Sequence, residues 1–142
     1  MENFFIKGHY FKASIKNGIA HLLYPMPEEL GLGVHLTIDL DGRVRFGPDT
    51  KHVYDINYRQ EVDTYDFYKK VALNFRVNNP ESLQFDYAGI RPKIKINNTI
   101  ASDFIFFTEK DHGMKGMISL HAIDSPGLTS CLAIAEKVVR LL

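Results

Sequence analysis

Two short β-forming runs joined by Asp39-Leu40-Asp41-Gly42 constrain this chain more than any other feature. Gly33-Val34-His35-Leu36-Thr37-Ile38 leads into the turn, and Arg43 to Phe46 returns from it, ended by Gly47-Pro48. Aspartate and glycine both tolerate positive φ, so Asp41-Gly42 closes a hairpin. A hairpin of this kind commits the region to antiparallel sheet. His9 to Ile15 alternates aromatic, basic and small residues and reads as a further strand. Ile19 to Tyr24 is another, stopped by Pro25-Met26-Pro27, and Tyr87 to Ile96, Asp103 to Phe107 and Met117 to Leu120 complete the set.

Two stretches carry the helical period instead. Tyr65, Tyr68, Val71, Ala72 and Phe75 fall on one helical face, with Asp63 or Thr64 as N-cap. A second helix is predicted from about Pro126 to Leu141. Ser125 would cap it and Pro126 would occupy the first helical position, where a missing N–H costs nothing. Its apolar face would be Leu128, Leu132, Ala135 and Val139, with Cys131 as a small packing residue inside it. The reading is an α+β domain over residues 1–142: a mixed or antiparallel sheet, two main helices and a final strand, turn and helix.

Bulk properties exclude several function classes. Lysine plus arginine and aspartate plus glutamate both number 17, a formal net charge of zero. Nucleic-acid and anionic-membrane surfaces need an excess of positive charge, so neither partner is expected. The single cysteine, Cys131, rules out an internal disulfide and fits a cytoplasmic location. Met1 to Ile6 lacks the basic lead and length of a signal peptide, and no apolar run spans a membrane. A neutral surface also gives little protection against self-association, and a homo-oligomer is expected.

Candidate chemistry is sparse. The histidines at 9, 21, 35, 52, 112 and 121 include no His-x-x-x-His pair, so no metal site is expected. Gly31-Leu32-Gly33 starts like a dinucleotide fingerprint, but Leu36 stands where the third glycine belongs and the segment enters a strand instead of a helix. No Gly-x-Ser-x-Gly elbow is present. Two segments remain. In Tyr87-Ala88-Gly89-Ile90-Arg91-Pro92-Lys93 an arginine is framed by glycine and proline. A held guanidinium suits bidentate capture of a carboxylate, or a structural salt bridge. In His121 to Ser130 a strand runs into a helix start rich in small residues, which is either an ordinary capped helix or an anion site.

Together these segments carry a family resemblance. Tyr87-Ala88-Gly89-Ile90-Arg91-Pro92 resembles the Gly-hydrophobic-Arg-Pro motif of the D-amino-acid oxidase superfamily, which includes glycine oxidase and FAD-dependent glycerol-3-phosphate dehydrogenase. Ser125 to Glu136, reading SPGLTSCLAIAE, is similar to the L-2-hydroxyglutarate oxidase and dehydrogenase branch. Lys7-Gly8-His9-Tyr10-Phe11, Leu23 to Pro27, Leu32 to Thr37 and Asp41 to Asp49 resemble that branch in the same order, so the likeness covers nearly the whole chain.

The resemblance implies a substrate-binding domain, a sheet over flavin and substrate, with a final strand and helix returning to an FAD-binding domain. It implies that Arg91, with Tyr87, binds a substrate carboxylate. It implies that the backbone of Ser125, Pro126, Gly127, Leu128 and Thr129 forms a helix N-terminus at the flavin pyrimidine, and that His35 is a base or substrate ligand. Glycine oxidases carry a second arginine near the last strand–helix turn. Ala122-Ile123-Asp124 stands there instead, which argues against an amino-acid substrate. The implied reaction is hydride transfer from a small 2-hydroxy acid, L-2-hydroxyglutarate-like, to FAD. The FAD-binding Rossmann-like part has no counterpart here, so a split-gene product, truncated gene or expressed fragment is expected, partnered by a separate FAD-binding chain. The rival expectation is a non-catalytic or vestigial fragment that folds and self-associates or pairs with a separate flavin-binding chain. Because the pyrophosphate-binding fingerprint is missing, the purified chain is expected to be colourless; a stoichiometric flavin absorbance spectrum would overturn this.

Overall fold

A computed structural model describes residues 1–15, 20–26 and 33–142 of the chain. It divides into two compact units, one of Phe5–Arg91 and one of Met1–Phe4 with Pro92–Leu142. Strands β1 (Glu2–Ala13) and β5 (Leu83–Ile96) pass from one unit into the other. The α+β expectation holds, and every strand pairing given below is antiparallel.

In the larger unit the strands lie in the order β2 (His35–Ile38), β3 (Val44–Gly47), β1, β5. The hairpin expected at Asp41-Gly42 joins β2 to β3. Asp39 organises it, accepting from the backbone N–H of Asp41 and Arg43 through its carboxylate and from Gly42 through its carbonyl. Gly42 has φ +77°, as such a turn needs. The strand expected over Ile19–Tyr24 begins outside the described residues. Within 20–26, Leu23 makes one antiparallel bridge to Leu36.

Helix α1 (Thr64–Asn74) covers one face of this sheet. Asp63 is its N-cap, accepting from the N–H of Tyr65 at 2.8 Å and Asp66 at 3.3 Å. Phe67 and Val71 are fully buried at helical spacing and meet Phe11, Leu36, Val44, Phe46 and Leu83 in one core. Phe67 stacks on Phe11 with ring centroids 4.2 Å apart, a contact with specific geometry beyond area burial. Strand alternation puts Leu36, Ile38, Val44 and Phe46 on this face and leaves the opposite face to polar residues.

A short strand absent from the sequence reading, β4 (Lys51–Val53), pairs with the first half of β1. Phe11 pairs with Phe46, but Lys7 pairs with Lys51, so the β3–β4 chain carries one extra residue between these pairs. That is a β-bulge. Within it Gly47 has φ +140° and Asp49 turns its carboxylate onto β1. The Asp49 Oδ1 atom accepts from the His9 N–H at 2.7 Å and lies 2.8 Å from His9 Nδ1. On the other side of the ring, His9 Nε2 accepts from the Glu61 N–H at 3.1 Å. Lys7, also without exposed surface, donates to Asn57 Oδ1 at 2.6 Å and lies 3.4 Å from the Glu61 carboxylate. These polar bonds hold the segment between β4 and α1 against β1.

The smaller unit holds a hairpin of β5 with β6 (Thr99–Ile100), turned at Asn97 and Asn98, both with positive φ. It also holds β7 (Ile105–Phe107) paired with β8 (Ser119–His121), and the one-turn helix α2 (Glu109–His112) between them. The final helix α3 runs Cys131–Leu141, starting five residues later than the sequence suggested, with Ser130 instead of Ser125 at its N-cap. Residues 125–130 form consecutive turns. Glycine, serine and threonine are weak helix formers, and the Thr129 hydroxyl donates to the Pro126 carbonyl, competing with helical bonding. Leu132 and Val139 of α3 are exposed, and Cys131 is exposed on it instead of packed. Among the described residues no helix is long and apolar enough to cross a membrane.

The buried His9–Asp49 contact generates a stability prediction. Asp49→Ala strips two buried donors of their acceptor. The expected loss is about 2–4 kcal/mol in urea denaturation, since a buried donor left unsatisfied costs about 1–3 kcal/mol. A loss below about 0.5 kcal/mol would show that the contact contributes little.

Candidate functional site

The face of the larger unit opposite α1 collects the sequence-predicted side chains. On β2 and β3, His35 pairs with Gly47 and Thr37 with Arg45. Lys12 of β1 pairs with Arg45, and two residues along β3 a Cβ at Gly47 would lie 2.7 Å from Tyr10 Cδ1, which puts Tyr10 beside Gly47. Directly paired residues project to the same face. His35, Gly47 and Tyr10 therefore form one row across three strands, spaced about 4.8 Å per strand, with no side chain on the middle member.

Strand β5 joins this face through a slip in its alternation. Phe85 packs edge-on to Phe11 on the α1 side. The next two residues both reach the other side: Asp86 meets Lys12 at 2.8 Å and Arg45 at 2.7 Å, and Tyr87 stacks on Tyr10 at 4.4 Å, with their planes 13° apart. Arg45 also lies over the Tyr87 ring, 5.5 Å from its centroid. Burial disfavours the charged form of Asp86, but hydrogen bonds from Lys12 and Arg45 outweigh it and hold the carboxyl below its usual value. Asp86 is thus the ion-pair partner shared by Lys12 and Arg45.

Arg91 differs. Its side chain is half-buried, its charge acts on the Tyr10 phenol, and it makes no hydrogen bond or ion pair among the described residues. Among the described residues no sheet-bracing salt bridge forms at Arg91. Burial raises the Tyr10 phenol above its usual value and Tyr87 adds to this, while Arg91 and Arg45 oppose it. Tyr10 is accordingly a neutral donor at neutral pH. His35 is buried beneath the Tyr24 ring, with centroids 4.1 Å apart in an edge-on arrangement.

The remaining predicted residues, Ser125 to Thr129, lie in the smaller unit and precede α3 instead of forming its first turn, which corrects the helix N-terminus expected there. Gly127 is required: an added Cβ would sit 2.6 Å from the Asp124 carbonyl oxygen and 2.7 Å from Ile123 Cγ2. The N–H groups of Leu128 and Thr129 make no hydrogen bond among the described residues. Beside this turn a cavity of about 210 Å³ is lined by Lys93, Ser102, Asp103, Asp124, Ser125 and Pro126. Lys93 Nζ lies 2.6 Å from Asp124 Oδ2, an oxygen sealed from solvent. The direction of approach does not suit a hydrogen bond, so this contact is ionic. Among the described residues no group of three or more His, Cys, Asp or Glu side chains is placed to hold a metal ion.

Sequence reasoning missed Tyr10 as a member of this face and Lys7, His9 and Asp49 as a buried network. The signal for Tyr10 was its place in the alternation of β1. Nothing local marks Asp49, because its role depends on a bulge formed with a strand 40 residues away.

No protein-family model matches this chain. It is 40% identical to the mitochondrial L-2-hydroxyglutarate dehydrogenase of Arabidopsis thaliana over 133 aligned positions, covering 84% of this chain and 27% of that protein. It is 28% identical to glycerol 3-phosphate dehydrogenase of Caloramator mitchellensis, covering 96% of this chain and 28% of that protein. To glycerol 3-phosphate oxidase of Mycoplasma genitalium it is 32% identical, covering 96% of this chain and 35% of that protein. The chain thus spans about a quarter to a third of the length of these curated relatives. By sequence, this chain is homologous to a segment of L-2-hydroxyglutarate dehydrogenase and, at greater distance, to segments of glycerol 3-phosphate dehydrogenase and oxidase.

Proposed function

We propose that this chain is the C-terminal, substrate-binding portion of an FAD-dependent oxidoreductase that oxidises a small 2-hydroxy acid, L-2-hydroxyglutarate-like, to the 2-oxo acid. The observation that carries the reading is Arg91, a half-buried guanidinium beside Tyr10 and Tyr87 that has no carboxylate partner among the described residues. A partly buried cation without a counter-ion is costly, and an anionic substrate would offset that cost. The identity to L-2-hydroxyglutarate dehydrogenase supports the substrate class.

FAD, when bound, supplies the acceptor for the hydrogen and electron pair leaving the substrate carbon. In this chain the Leu128 and Thr129 N–H groups, with the adjoining 210 Å³ cavity, suit a polar ring edge. That space takes only part of so large a cofactor, so the rest must be held by a separate chain or segment. Arg91 binds and orients the carboxylate, Tyr87 walls the substrate, and an imidazole nitrogen of His35 takes the hydroxyl proton.

Arg91→Lys keeps the charge and loses the planar fork. In enzyme reconstituted with an FAD-binding chain, KM for L-2-hydroxyglutarate is expected to rise about ten-fold, since a charge-assisted bond is worth about 1.5–3 kcal/mol. Flavin content and melting temperature should hold. An unchanged KM with a lowered melting temperature would remove Arg91 from the site.

A second reading, a non-catalytic chain that pairs with itself or a separate FAD-binding chain, is favoured by one observation. The α3 residues Leu132 and Val139, and Leu128 before it, are 83%, 70% and 87% exposed. Such a patch tends to find a partner. Light scattering of the purified chain should give a homodimer or larger, and a clean monomer at high concentration would count against self-association.

A further inference from the structure

We propose that Tyr10 is a substrate-contact residue whose phenol donates a hydrogen bond to the carboxylate held by Arg91. This rests on the reading of the Arg91 face as a 2-hydroxy-acid site, and it gives a role to the Lys7-Gly8-His9-Tyr10-Phe11 segment that Arg91, Tyr87 and His35 leave without one.

The Tyr10 ring is held from two sides. Tyr87 stacks on it at 4.4 Å. On β3, a Cβ at Gly47 would lie 2.7 Å from Tyr10 Cδ1, so only a glycine admits the ring there. A second glycine contact is of another kind. Among the described residues a Cβ at Gly89 would meet nothing within 4 Å except Tyr10 Cε2, at 3.9 Å. The space over Gly89 is therefore open, and Tyr10 borders it with the ring edge next to its hydroxyl. Arg91 stands two residues along the same strand, so it shares the face of Gly89 and borders the same space.

The hydroxyl is available. It makes no hydrogen bond among the described residues, and burial keeps the phenol protonated. A rigid phenol and a guanidinium flanking one open space supply convergent donors, which is what a carboxylate needs. Arg45, the other cation near the ring, is already bound to Asp86 at 2.7 Å and does not compete for the same anion.

The test is equilibrium dialysis of L-2-hydroxyglutarate against the full chain, comparing wild type, Tyr10→Phe and Arg91→Lys, with glycerol 3-phosphate as a second probe. Phenylalanine keeps the stack, so an unchanged melting temperature is the control for folding. Tyr10→Phe should weaken L-2-hydroxyglutarate binding by about ten-fold, as expected for a bond to a charged group. In wild-type chain labelled at the tyrosine ring carbons, the Tyr10 Cζ resonance should shift on titration, which a purely structural tyrosine would not show.

If Arg91→Lys weakens binding while Tyr10→Phe does not and the Cζ resonance stays still, Tyr10 falls and the 2-hydroxy-acid reading survives. If only glycerol 3-phosphate binds, and Tyr10→Phe weakens it, the 2-hydroxy-acid reading falls and Tyr10 remains an anion donor. Failure of wild type to bind either probe at millimolar concentration overturns both.

Discussion

The bond between His9 and Asp49 sets the geometry on which the larger unit depends. From Ile6 to His9, strand β1 is buried on both faces, although two of those residues are Lys7 and His9. A buried imidazole needs partners for both ring nitrogens. With Nε2 accepting from the Glu61 N–H, Nδ1 carries the proton and donates to Asp49, so the bonding selects one neutral tautomer. Asp49 can take that position only because the chain bulges between β3 and β4. The same bulge contains Gly47, whose φ of +140° and missing side chain make room for the Tyr10 ring. A polar requirement inside the core thus shapes the opposite face of the sheet.

Charge on that face is distributed unequally. Asp86 is shared by Lys12 and Arg45, and no acid serves Arg91 among the described residues. A chain of zero net charge has enough carboxylates to pair its cations, so composition does not force this. It follows from the slip in β5, which turns Asp86 and Tyr87 to one side in succession and directs the single acid toward β1 and β3. Gly89 then leaves open the space next to the unpaired guanidinium. A partly buried cation without a counter-ion carries an electrostatic cost, which a bound anion would offset.

Much of this was legible in the sequence where the signal is local. The Asp41-Gly42 hairpin, the Asp63-capped helix and the antiparallel strands all follow from turn chemistry and periodicity, and the structure has them. Arg91 between Gly89 and Pro92 was visible as a held cation. Two of the failures share one cause, dependence on contacts distant in the chain, and the third is local. Strand β4 has three residues and exists because β1 offers it a partner. Asp49 reads as a turn residue until the bulge brings it to His9. The start of α3 was misplaced because Ser125 and Pro126 are good helix-start residues, while the hydrogen bonds of Thr129 and Gly127 favour turns.

Helix α3 raises a different question, why it should be stable at all. It has 11 residues, none buried, and isolated helices shorter than about 12–15 residues are marginal in water. The Glu136–Arg140 pair one turn apart supplies a few tenths of a kcal/mol, roughly the value of an exposed helical ion pair. Lys137 over the Phe106 ring, at 4.3 Å, adds a contact on its other side. Neither satisfies Leu132 and Val139, which share the helical face toward solvent. An amphipathic helix gains most of its stability from burying that face. Among the described residues nothing covers the apolar face of Leu132 and Val139, and the turn at Ser125 to Ser130 that precedes the helix is built around a glycine that admits no side chain.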